Sequence, residues 1–69
     1  MEAVKEFLKK NGFTFNNDMY YNEKCSVSIE SCYYGVLIYD KGYMYSQDLN
    51  IYWLIGVLTY YNLIDKNYS

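Results

Sequence analysis

The side chains that titrate in this 69-residue chain are two cysteines, eight carboxylates, six lysines and eleven tyrosines; histidine, arginine and proline are absent. A catalytic cysteine needs a neighbouring base or cation to hold its thiolate at neutral pH, and neither Cys25 nor Cys32 has a histidine to turn to. Zinc asks for three or four ligands, and two cysteines with six residues between them neither match a known spacing nor find a histidine to complete the set. Carboxylate catalysis needs a pair whose surroundings pull their acidities apart, and none of the eight acids sits in such a pattern. Asp48 is the best placed, but it falls at a predicted helix start, where it complements the helix dipole. We therefore expect no catalytic residue, no metal and no cofactor, so the chain reads as no enzyme. Both thiols should be free in a reducing compartment.

Tyrosine remains, and it is the residue in excess. Its ring supplies contact area with few rotatable bonds and its hydroxyl keeps an exposed patch wet, which suits binding surfaces better than reaction centres. Aromatic rings on a sheet also stack nucleic-acid bases, but such surfaces carry cationic tracks. Here the net charge is −2, every cation is lysine, and Lys24 and Lys41 are the only ones between Lys10 and Lys66. Nucleic acid is therefore an improbable partner, and a protein is the expected one. Sequestration of a small nucleotide between tyrosines is a further alternative, although no glycine-rich phosphate loop accompanies it.

The rings have to be positioned by a small fold. A domain of this length buries only roughly 60% of the surface its unfolded chain exposes. Val4, Phe7 and Leu8 share one helical face, with Glu2 and Glu6 early and Lys9 and Lys10 late, so residues 1–12 read as a helix that Asn11-Gly12 stops and Phe13 folds back to cap. Phe13-Thr14-Phe15 alternates like a strand before a turn at Asn16-Asn17-Asp18. Met19 to Ile29 reads as one longer strand with Ser26, Ser28 and Glu30 on a wet face. Tyr33 to Tyr39 is apolar on both faces and belongs mid-sheet, and Asp40-Lys41-Gly42 turns the chain into Tyr43-Met44-Tyr45.

Ser46-Gln47-Asp48 offers helix-capping groups, and 47–62 reads as a second helix that Asn62 ends with a left-handed cap. The order predicts a single α+β domain: helix 1–12, three or four antiparallel strands in 13–46, helix 47–62 and a tail at 63–69. Both helices should cover one sheet face and leave the other open. On that open face Tyr33, Leu37, Tyr39, Tyr43 and Tyr45, rimmed by Asp40 and Lys41, form the candidate partner-binding site. The second helix is apolar nearly all round, so Ile51, Leu54, Ile55 and Leu58 are candidates for an oligomer interface, and a homodimer or structural assembly is the alternative role.

No apolar run reaches the ~20 residues that span a bilayer, and Met1 to Glu6 lacks the basic start and apolar middle of a signal peptide, so a cytoplasmic location is expected, with no membrane contact. Asn, Lys, Ile, Tyr, Phe and Met make up about half of the chain, a skew that fits an AT-rich bacterium or its viruses. The functional expectation is a non-catalytic protein-binding module, an inhibitor of a host defence protein carried by a phage or mobile element.

Overall fold

The computed structural model describes residues 2–65. Its elements are α1 (Glu2–Lys10), β1 (Thr14–Asn16), β2 (Met19–Tyr21), β3 (Cys25–Ile29), β4 (Tyr34–Ile38), β5 (Gly42–Tyr45) and α2 (Ile51–Tyr60). The expected α+β class holds, with a sheet of five strands in sequential order, each antiparallel to the next. The last four residues of the expected tail, 66–69, lie outside the described residues.

Both helices end in the same way. Gly12 takes φ +89° while its N–H donates to the Lys9 carbonyl at 3.1 Å and the Phe13 N–H donates to the Leu8 carbonyl at 3.0 Å. At the end of α2, Asn62 takes φ +58°, its N–H donates to the Thr59 carbonyl at 3.1 Å, and the Leu63 N–H donates to the Leu58 carbonyl at 2.8 Å. These are Schellman caps, in which the residue past the left-handed position folds an apolar side chain back on the helix. Phe13 and Leu63 are accordingly buried in the core.

The stretch from Met19 to Ile29 is two strands, not one. The Asn22 Oδ1 accepts from the Lys24 N–H at 2.8 Å and the Cys25 N–H at 2.9 Å, a local turn that competes with extended pairing. Its Nδ2 donates to the Leu63 carbonyl at 2.8 Å, so one side chain both reverses the chain and ties that reversal to the end of α2. Lys24 reinforces the tie, its ammonium donating to the Asn62 carbonyl at 2.9 Å where the helix dipole is negative. The first hairpin turns on Asn17 and Asp18, with φ of 52° and 64°, as a two-residue connection of right-twisted strands requires.

The second helix starts later than its sequence suggests. The Asn50 Oδ1 accepts from the Tyr52 and Trp53 N–H groups at 2.9 and 3.3 Å, so Asn50 is the N-cap. Ser46 is engaged elsewhere, because its buried hydroxyl accepts from the Tyr34 N–H at 2.9 Å and donates to the Asp48 carbonyl, ending the sheet as the chain leaves β5.

Register sorts the side chains by face. Phe15, Tyr20, Val27, Val36 and Met44 lie opposite one another across the five strands, and Cys25 with Ile38 and Ile29 with Tyr34 lie on the same side. Val4 and Leu8 from α1, Leu54 and Leu58 from α2, and Phe13, Leu63 and Ile64 join most of these residues in one core. Both helices thus cover one face.

Removing the Asn22 side chain deprives three backbone groups of their partner. Asn22→Ala should cost about 2 kcal/mol in urea unfolding, whereas Asn22→Asp, which keeps the two acceptor bonds and loses the donor to Leu63, should cost about 1 kcal/mol. Equal losses would show that the turn hydrogen bonds contribute nothing.

Candidate partner-binding surface

The opposite face carries Thr14, Tyr21, Ser26, Leu37 and Tyr43 in one cross-strand row, with Ser28, Gly35 and Tyr45 in the next. Neither helix lies over it, so the sheet covers itself with its own tyrosines. Gly35 makes this possible: a Cβ there would collide with the Tyr43 Oη and stand 2.7 Å from the Ser28 Oγ. The Tyr43 phenol therefore lies in the notch that the missing side chain leaves, an aromatic covering a strand glycine. Ser26 and Ser28, expected on a wet face, are buried beneath this layer.

The rings touch in sequence. Tyr45 stacks on Tyr43 with centroids 6.2 Å apart and meets Tyr33 edge-on at 5.7 Å. The Tyr33 phenol is held above its ordinary acidity range, first because the Tyr43 phenol beside it makes a second negative charge unwelcome, then through desolvation and the nearby Glu30 carboxylate. With Tyr43 55% and Tyr45 61% exposed, and Leu37 open between the strands, the cluster is contiguous and faces solvent.

Four of the seven predicted binding residues, Tyr33, Leu37, Tyr43 and Tyr45, therefore form one surface. Tyr39, Asp40 and Lys41 gather instead at the end of the sheet, around a cavity of about 420 Å³ shared with Glu23, Lys24, Tyr61 and Asn62. That cavity mixes two lysines with two acids, and the Lys24 ammonium is already engaged by the Asn62 carbonyl. Its electrostatics give a phosphate no preference. Tyr21 belongs to the face and was missed, because a single strand from Met19 to Ile29 would put it on the side of Cys25; the turn at Asn22 reverses that parity.

Two of the four expected oligomer residues, Leu54 and Leu58, need correction. Leu54 and Leu58 have no exposed surface and Ile51 and Ile55 are only partly exposed, because the core takes the Leu54–Leu58 stripe of α2. The outward stripe is Tyr52, Gly56 and Tyr60, whose rings are 80% and 78% exposed on either side of an open glycine.

Cys25 is buried and Cys32 exposed, and both are free. Among the described residues no three His, Cys, Asp or Glu side chains gather as metal ligands would, and no helix is long and apolar enough to cross a membrane. Comparison with protein families, curated proteins and solved structures finds no match for the chain.

Gly35→Ala should force the Tyr43 phenol out of its notch and return the Tyr33 ionisation toward the ordinary value near 10, read by an NMR pH titration of the tyrosine rings. An unchanged Tyr33 curve would disprove the coupling. Burial also pushes the Cys25 thiol up to about 11. A group whose ionisation is raised by folding stabilises the native state below its unfolded value, near 9 for this thiol, and loses that contribution as pH climbs through 11. Native stability should thus fall more steeply between pH 9 and 11 in the natural chain than in Cys25→Ala, and a thiol reagent at pH 7.5 should label Cys32 alone until urea unfolds the protein.

Proposed function

We propose that the chain is a non-catalytic protein-binding module whose contact surface is the open face of the sheet. The observation that carries this reading is the contiguous cluster of Tyr33, Leu37, Tyr43 and Tyr45, uncovered by either helix and held in place from below by Gly35. Half-exposed tyrosines joined in one patch are unlike apolar residues scattered singly over a surface, and joined patches of this kind mark contact sites. Small size and an AT-skewed composition support a finer reading, in which a phage or mobile element supplies the module to occupy and inhibit a host protein.

A second reading, self-association, is favoured by one specific observation, the outward stripe of α2. Two largely exposed tyrosines flank a glycine that lets another backbone approach closely. Sedimentation from 5 to 200 μM separates the two: the binding reading expects a monomer throughout, and the assembly reading expects a dimer that Gly56→Lys dissolves.

The binding reading has its own test. The pair Tyr33→Ala with Tyr45→Ala should melt within a few degrees of the natural chain, since both rings lie on the outside, yet should lose the partner captured by affinity purification from the native host. Capture that survives the pair would place the contact elsewhere.

A further inference from the structure

The tyrosine face adjoins an open strand edge, and the two coincide at the same residues. Tyr34 and Ser46 exchange hydrogen bonds, the Ser46 N–H donating to the Tyr34 carbonyl at 2.9 Å. With Val36 opposite Met44 and Ile38 opposite Gly42, the alternation of an antiparallel ladder turns the N–H and C=O of Gly42, Met44 and Ser46 toward β4. It turns those of Tyr43 and Tyr45 away, to the outer side of the last strand in the sheet. Four backbone groups thus stand at the edge directly beside the two most exposed rings of the cluster.

Sheet edges are ordinarily guarded by lysine, proline, a bulge or brevity. The other edge, β1, is three residues long. Between Gly42 and Tyr45 there is no charge and no proline, and the register against β4 runs unbroken over four pairs. The face alone is too small for a stable complex: four partly exposed side chains offer on the order of 300–400 Å², against about 800 Å² per partner in a standard interface.

We propose, building on the reading of this face as a contact surface, that β5 accepts an extended segment of a partner protein as a sixth, antiparallel strand, and that the segment carries lysine or arginine at its N-terminal end. Backbone bonds to Tyr43 and Tyr45 supply the pairing, and alternate side chains of the added strand lie against the tyrosines. Charge sets which end of that antiparallel segment is basic. At the Gly42 end Asp40 and Lys41 offset each other, whereas the Tyr45 end has Glu30 beside Tyr33 and Asp48 just beyond Ser46, with no lysine between Lys41 and Lys66 in the chain. An antiparallel segment brings its N-terminal end to that acidic side. A second copy fits badly: pairing β5 with its own twin, Tyr43 opposite Tyr45, sets Asp40 of each copy against Asp48 of the other at both ends.

The test selects random twelve-residue peptides on the full chain by display, then remakes the best peptide with N-methyl groups. The expected peptides alternate apolar residues at every second position after an N-terminal basic residue. Methylating one alternate set of amides should abolish binding, and methylating the other set should leave it nearly unchanged. On the protein side, Tyr45→Ala removes a ring, while Tyr45→Pro also removes an edge donor without touching the β4 ladder. The proline variant should bind at least about tenfold more weakly than the alanine variant. Peptides with helical spacing, no enriched peptide, or equal effects of the two methylation sets would each overturn the proposal. If Tyr45→Pro and Tyr45→Ala bind alike while Tyr33→Ala with Tyr45→Ala still loses the partner, the face reading stands and the edge proposal falls. A dimer that Tyr45→Pro dissolves would replace the foreign strand with a second copy.

Discussion

A sheet has two faces, and this chain has helices for only one. Val4 and Leu8 of α1 and Leu54 and Leu58 of α2 are spent on the inner side, together with the apolar residues that follow each helix. The outer side must then be closed by residues of the strands themselves. Tyrosine answers this constraint because its ring can lie flat over a strand while its hydroxyl stays in water. The Tyr43 phenol over Gly35 is the clearest instance, and the buried Ser26 and Ser28 beneath the layer show how far the covering extends. The same rings that shield the sheet are the ones left partly exposed, so the folding solution and the candidate contact surface are one structure.

What holds the two layers in register is a small set of polar ties at the ends of elements. Asn22 joins the β2–β3 turn to the chain just past α2, Lys24 joins the same turn to Asn62, and Ser46 closes the top of β4 as the chain departs toward α2. Each satisfies backbone groups that would otherwise be left unpaired at an element end. Their effect on the outer face is indirect but definite: by fixing where each strand begins and ends they set which side every tyrosine faces.

Much of this was legible in the sequence, for reasons that can be named. Both helix ends follow from a residue that tolerates positive φ, Gly12 or Asn62, followed by an apolar one, because that geometry is purely local. The first hairpin follows from Asn17 and Asp18, and the tyrosine face from the period-two spacing of Tyr33, Leu37, Tyr43 and Tyr45 around a tight turn. What was not legible depends on distant partners. Asn22 breaks a run that reads as one strand, and half of its role lies in a bond to Leu63, 41 residues away. Because that break reverses parity, Tyr21 changes face. The second helix is apolar on nearly every side, so periodicity alone gave no phase, and two of the four residues assigned to an interface, Leu54 and Leu58, turned out to be core. Its start at Asn50 rather than near Ser46 has the same origin, since three polar residues compete for the cap and Ser46 is drawn to Tyr34.

The central claim, that β5 and its tyrosines are open and ready to meet another molecule, is tested most directly by amide hydrogen exchange of the isolated protein. Met44 and Ser46, whose N–H groups point into the ladder, should exchange slowly, while Tyr43 and Tyr45 should exchange at nearly the rate of an unstructured peptide, at every protein concentration. Slow exchange at Tyr43 and Tyr45 in the isolated chain would mean that the edge is already occupied, and would contradict the claim that it is free to receive a partner.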